Sequence, residues 1–192
     1  MAFSVVYDAC VLYPAPLRDL LVRIAAAGIV RAYWTEAILD ECFENISKQR
    51  PDLSRERLAR TREMMNNAAR GCIVTGYETL IEGLSLPDVD DRHVLAAALR
   101  SGAQVIVTFN LRDFPATSLE PFGIEAKHPD IFILETLDIS PVPVCAVVEQ
   151  QLADLKNPPR TRDDLLRTLT EQGLPQSVAR LRELLAKSPP LG

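Results

Sequence analysis

Val105-Ile106-Val107-Thr108-Phe109-Asn110 is a β-branched apolar run that ends in polar residues, with Asp113 three residues further on. Ser4-Val5-Val6-Tyr7-Asp8 has the same form near the start of the chain. Runs this short and this apolar, separated by helical patterns, predict parallel strands of an open α/β sheet with both faces covered. Ligands of such sheets bind outside the carboxyl ends of the strands, so Asp8, Asn110 and Asp113 are expected at one end of the molecule. Between the two runs, Pro87-Asp88-Val89-Asp90-Asp91 opens a helix and adds three more acids. Carboxylates brought together repel one another unless a divalent cation holds them. The pattern therefore points to Mg²⁺ or Mn²⁺ and to the cutting or transfer of phosphate esters.

Along the whole chain, strand-like runs at 4–7, 72–75, 105–109 and 131–134 alternate with helical patterns at 15–27, 36–47, 54–70 and 91–101. This order predicts βαβ units and a parallel sheet. Pro115, Pro121 and Pro129 keep 114–130 largely irregular. From residue 138 the texture is helical only. Ser140-Pro141 starts a helix that Asn157-Pro158-Pro159 stops, Thr161 caps a second, and Gly173 with Leu174-Pro175 leads into a third. The chain thus divides into two units: 1–137, an α/β domain, and 138–192, a three-helix extension. The segment 161–187 has the spacing of a DNA-binding helix-turn-helix, which is also that of any αα-hairpin packed on its neighbours.

The totals limit the function classes. With 192 residues, 47% hydrophobic, the chain can bury a proper core. A net charge of −5 argues against a general nucleic-acid coat protein but not against a nuclease, whose metal ligands are themselves acids. The first residues lack a basic leader region, and no apolar stretch nears the roughly 20 residues of a membrane span. A cytoplasmic protein without membrane contact is expected. Cys10, Cys42, Cys72 and Cys145 stand far apart in mostly apolar settings, as small buried hydrophobes would. Arg55, Arg57, Arg60 and Arg62 form either a phosphate-touching stretch or an ordinary solvated helix face.

Taken singly, the acids differ in weight. Asp91 precedes Val94, Leu95 and Ala98 by three, four and seven residues, which places it on the apolar face of its helix, while Arg92, His93 and Arg100 project elsewhere. A carboxylate on a buried face is costly without hydrogen bonds or a cation, so Asp91 is expected to be functional. Asp88 and Asp90 are adequately explained as helix caps. Asp8, Asn110 and Asp113 could each make an ordinary turn, and only their convergence raises them. In helix 36–47, Glu44 points away from the stripe of Ile38, Leu39, Cys42, Phe43 and Ile46, whereas Asp40 and Glu41 flank it on opposite sides. Periodicity does not choose between those two. Asn45 lies one turn from Glu41, so the pair could face a cleft.

With Asp8, a mid-helix Glu41, the run Pro87-Asp88-Val89-Asp90-Asp91-Arg92-His93-Val94-Leu95-Ala96-Ala97-Ala98, and Val107-Thr108-Phe109-Asn110-Leu111-Arg112-Asp113-Phe114, residues 3–137 resemble the PIN-domain family. Within that family the likeness is to the VapC-like toxin ribonucleases. Gly123-Ile124-Glu125-Ala126-Lys127-His128-Pro129-Asp130-Ile131-Phe132 is similar to the end of the domain, a short strand, a Pro and a final helix. The resemblance implies a three-layer α/β/α fold that binds Mg²⁺ or Mn²⁺ and hydrolyses RNA. It makes Asp8, Glu41 and Asp91 the main catalytic and metal-binding carboxylates, with Asn110 or Asp113 completing the metal site and Asp113 the fourth catalytic acid. It makes Thr108 a support to the acids; the residues themselves offer Asn45, Asp88 and Asp90 as further supports and Arg55, Arg60 and Arg112 as candidate RNA contacts. It further implies a small antitoxin that masks the groove, a homodimer, and DNA contact only through the antitoxin or the C-terminal helices. RNA processing without an antitoxin is the alternative within the family. A haloacid-dehalogenase-like phosphatase needs a second Asp two residues beyond the first, where this chain has Cys10. A scaffold protein with a degenerate site is the non-enzyme alternative, suggested by the neutral Asn110.

Overall fold

A computed structural model describes residues 3–187; residues 1–2 and 188–192, the outer ends of the two expected units, lie outside the described residues. Four strands, β1 (Ser4–Tyr7), β2 (Arg31–Tyr33), β3 (Val105–Val107) and β4 (Glu125–Lys127), form one sheet in the order β2-β1-β3-β4. All three pairings are parallel, with Val5 opposite Ala32 and Val105, and Ile106 opposite Ala126. Consecutive Val5, Val6 and Tyr7 are each 0% exposed. Since neighbouring strand residues point to opposite faces, helices must cover both, giving the three-layer α/β/α arrangement.

Around the sheet run α1 (Ala9–Leu12), α2 (Ala15–Ala26), α3 (Glu36–Gln49), α4 (Arg55–Ala68), α5 (Arg92–Ser101), α6 (Ala116–Leu119), α7 (Pro129–Ile139), α8 (Pro141–Asp154), α9 (Arg162–Glu171) and α10 (Pro175–Lys187). Val94 to Ala98 of α5 are all 0% exposed, because this helix lies on β1, β2 and β3 with small alanines that permit close approach. Phe132 of α7 meets Tyr7 edge to face at 6.0 Å. No helix among the described residues is long and apolar enough to cross a membrane.

Two expected strands are corrected. Residues 72–75 make only a single bridge, Ile73 to Trp34, because Gly71 and Gly76, both with positive φ, turn the chain on either side. Residues 131–134 belong to α7, where Pro129 supplies a preset first helical residue and the His128 side chain accepts the Asp130 amide. A four-residue apolar run has no period of its own, and the cap decides it. β2 had no signal, being three residues long with Arg31 exposed.

The C-terminal helices are three, as expected, and they pack back on the α/β domain rather than trailing from it. α10 lies on α7, and α8 lies on α2 and α7. Thr161 and Asp164 form a reciprocal capping box at the start of α9. Asp130, 2% exposed, accepts from the Gln176 and Ser177 amides and the Ser177 hydroxyl, satisfying donors that the start of α10 leaves free.

Candidate active site

The chain runs from β1 outward to β2, then returns to place β3 on the other side of β1. Open sheets bind ligands at such a reversal, outside the carboxyl ends of β1 and β3, and Asp8 and Thr108 stand at those two strand ends. Asp8 is 3% exposed and caps α1: its Oδ1 accepts the Ala9 amide at 2.7 Å. Oδ2 accepts the Thr108 hydroxyl at 2.7 Å and the Cys10 thiol at 3.1 Å. The Thr108 hydroxyl in turn accepts the Asn110 amide at 2.9 Å, and Cys10 Sγ accepts the Phe109 amide at 3.2 Å. Asp8 is thus fixed from β3 and from its own helix. Burial and the Asp8 charge push the Cys10 thiol up to about 12, so it stays a protonated donor.

Asp91 occupies the N-cap position of α5, yet its side chain makes no capping bond. Burial, followed by the charges of Asp8, Asp113, Asp88 and Glu41, raises its carboxyl to about 7. Glu41 is raised as well, by burial and then by Asp8, Asp88 and Asp90. Asp8, Glu41 and Asp113 thus all act on Asp91, and Asp8 acts on Glu41 too. Among the described residues, none of these four acids is paired with an arginine or lysine. Asp88 accepts the Asp90 amide at 2.9 Å in a tight turn, and Arg92 Nε donates to the Val89 carbonyl at 2.9 Å, so the acidic loop is tied down beside the crevice.

The choice between Asp40 and Glu41 is made by neighbours. Asp40 binds Arg62 Nη1 at 2.5 Å, and Arg62 also holds Glu36, so Asp40 belongs to a surface ion network between α3 and α4. Glu44 pairs with Lys48. Glu41 instead faces His93, whose Nε2 lies 3.9 Å from Glu41 Oε2. His93 is therefore a correction: it does not project away from the acids. α5 begins at Arg92 with Asp91 as its N-cap, and Val94 to Ala98 are all buried, so the helix has no solvent face over these residues and His93 meets α3 although it lies off the apolar stripe. Burial lowers the His93 pKa, Asp8 and Asp90 oppose this, and its Nδ1 is buried without a hydrogen-bond partner.

Asn110 is exposed, and its backbone carbonyl accepts the Asp113 amide at 3.0 Å, which turns Asp113 back toward Asp91. Asn45 is exposed, as are Arg55, Arg60 and Arg112. Of these, Arg112 lies in the Asn110–Asp113 turn, while Arg55 and Arg60 lie on α4. Cys10 and His93 are site residues that the sequence did not assign. The signal for Cys10 was its place two residues after Asp8, within reach of that carboxylate in the first turn of α1.

The donor chemistry fits a divalent cation: oxygen ligands, negative charge with no arginine or lysine partner among the described residues, and raised pKa values at Asp91 and Glu41 that mark the charge as uncompensated. Among the described residues, no three His, Cys, Asp or Glu side chains are drawn together closely enough to hold an ion. The acids share a field without yet sharing a ligand sphere.

An α/β/α sheet with carboxylates at its switch point defines a fold class and a site of acidic, metal-compatible type. A family model for the PIN domain matches residues 4–112, more than half of the chain, and one for the VapC50 C-terminal domain matches residues 129–183. The chain belongs to the PIN-domain family. It is 43% identical over 117 residues to a Mycobacterium tuberculosis protein provisionally named ribonuclease VapC50, covering 61% of this chain and 68% of the relative. No solved structure matches the chain.

Proposed function

We propose that this protein is a metal-dependent endoribonuclease that hydrolyses RNA phosphodiester bonds as the toxin of a VapBC-type pair. The observation that carries the proposal is Asp91, uncapped and unpaired, its carboxyl held near 7 by burial and by four surrounding acids. A structural carboxylate would have acquired a donor or a cation. Support comes also from the PIN-domain match and from the relative's name.

Asp8, Glu41, Asp91 and Asp113 would hold Mg²⁺ or Mn²⁺, with Asn110 the neutral neighbour at the last position. Such an ion, when bound, lowers the pKa of a coordinated water and offsets charge on the phosphodiester. Thr108 and Cys10 orient Asp8. Asp91 carries a proton at its carboxyl part of the time near neutral pH and releases it when positive charge enters the site. Glu41 stands at the rim with His93 Nε2 3.9 Å from its Oε2. Arg112, with Arg55 and Arg60 further along the surface, would contact phosphates, and an antitoxin would mask the groove. A cytoplasmic location, a homodimer, and the division at 137/138 are parts of the same proposal.

Purified protein should cut RNA with Mn²⁺ and stop when a chelator is added. Asp8→Asn and Asp91→Asn should abolish cleavage while circular dichroism stays unchanged. Cleavage by both variants at the wild-type rate would refute the assignment. Harm on expression, relieved by a co-expressed small neighbouring protein, tests the toxin role; cleavage without such relief favours RNA processing. The exposed Asn110 and the loosely gathered acids favour a binding or scaffold protein with a catalytically degenerate site as the second reading. Calorimetric titration with Mn²⁺ that gives equal heats for wild type and Asp91→Ala would support that scaffold.

A further inference from the structure

The turn between α9 and α10 ends against the same loop that carries the candidate site. Gly173 has φ +92, and a Cβ there would stand 3.2 Å from Cε1 of Phe109 and 3.8 Å from Cε1 of His128. The Phe109 ring is packed edge to face on His128, with centroids 5.1 Å apart. Phe109 follows Thr108 directly, and its amide donates to Cys10 Sγ. A ring held by the C-terminal helices is therefore one residue from the hydroxyl that binds Asp8. Two further ties lie at the carboxyl end of the sheet. Gln172 Oε1 accepts the Leu17 amide at 3.0 Å, and Asp130, three residues after β4, caps α10.

We propose that the C-terminal helices are a positioning module: the Gly173 turn clamps Phe109 against His128 and so fixes the Thr108–Asp113 loop. Phe109 is the positioning residue, acting through Thr108 and Cys10 on Asp8 and through the Asn110 turn on Asp113. Only the catalytic consequence rests on the nuclease function proposed above; the clamp itself is a contact between two parts of the chain.

Amide hydrogen exchange on the full chain separates the two. In Gly173→Ala, exchange at the Phe109 and Asn110 amides should rise about tenfold or more, as expected when a local closing contact is lost. If the protein cuts RNA, kcat should fall with KM little changed, because the loop contacts reacting groups and not the distant substrate. Gly28→Ala is the control: its φ is +71 with nothing within 4 Å of an added Cβ, and it precedes β2 at the amino ends of the strands. It carries a similar backbone cost without the ring, and both amides should behave as in wild type. Phe109→Leu makes room for the new methyl, so the double variant should lose less than the sum of the single losses. Should Gly173→Ala not fold, Phe109→Leu alone should speed exchange at the Gly173 and Leu174 amides. Equal exchange at Phe109 and Asn110 in the Gly173 and Gly28 variants, or strict additivity, overturns the clamp. Coupled exchange in a protein that cuts no RNA would retain the clamp and remove the nuclease function.

Discussion

Replacing Asp91 by asparagine keeps the size of the side chain and removes its charge, so the repulsion stored in the crevice should become measurable as stability. The Asp91 carboxyl is raised from 3.8 to about 7 in the folded chain. A raised carboxyl means that the folded state binds more protons than the unfolded state between those values. Its contribution is present in full below the unfolded pKa and is lost as pH rises through the folded one. A span of about three pH units corresponds to roughly 4 kcal/mol at 1.36 kcal/mol each. The site is open to solvent on one side, and screening reduces this to about 1–2 kcal/mol. Urea or thermal unfolding in chelator should therefore find Asp91→Asn equal to wild type at pH 4 and about 1–2 kcal/mol more stable at pH 8. For a chain of this size that is on the order of 2–8 °C in Tm. Added Mn²⁺ should reverse the order at pH 8 by stabilising wild type and not the variant. An Asp91→Asn protein that is equally or less stable at pH 8 in chelator would refute the reasoning, because it would mean that the carboxylate is held by bonds rather than repelled.

Glu41→Gln should reduce RNA cleavage on the order of 100-fold, whereas Asp40→Asn should stay within about twofold, since Asp40 serves only a surface ion pair; single-turnover cleavage distinguishes them. Thr108→Val removes the hydroxyl that binds Asp8 Oδ2 at 2.7 Å. It should lower kcat roughly 10–100-fold while thermal unfolding stays cooperative. Asp130→Ala strips the cap of α10 and leaves the buried Ser177 amide and hydroxyl and the partly buried Gln176 amide without this acceptor, so chemical denaturation should show a loss of about 2–4 kcal/mol.

The pattern of short β-branched runs ending in acids was enough to place Asp8 and Asp113 at one end of a parallel sheet, because strand polarity fixes which end receives ligands. It was also enough for the C-terminal helices, whose Pro, Thr and Gly boundaries carry their own capping chemistry. Periodicity does not separate Glu41 from Asp40; the resemblance prefers Glu41, and the structure adds that Arg62 engages Asp40, a contact across two helices that no period within one helix encodes. The projection of His93 was not legible because α5 is covered on nearly every side, with Val94 to Ala98 all 0% exposed, so a residue off the apolar stripe still faces a neighbouring element, here α3 with Glu41. Composition groups Cys10 with the other cysteines, whereas in the structure Cys42 and Cys72 are buried and Cys10 is a half-buried donor to Asp8. The strand expected at 131–134 shows the same ambiguity, since an apolar tetrad suits either state until a proline and a capping histidine fix it.

The hydrogen bonds around Asp8 also bear on which ions the crevice can distinguish. One of its oxygens already receives a hydroxyl and a thiol, while the other receives only the Ala9 amide. A cation that prefers to grip both oxygens of a single carboxylate, as calcium often does, would compete with donors on both of them. On the proposed function, an ion content with one oxygen from each of several acids would displace fewer of these donors, and weaker binding of calcium than of Mg²⁺ or Mn²⁺ is the expected consequence of the first turn after β1.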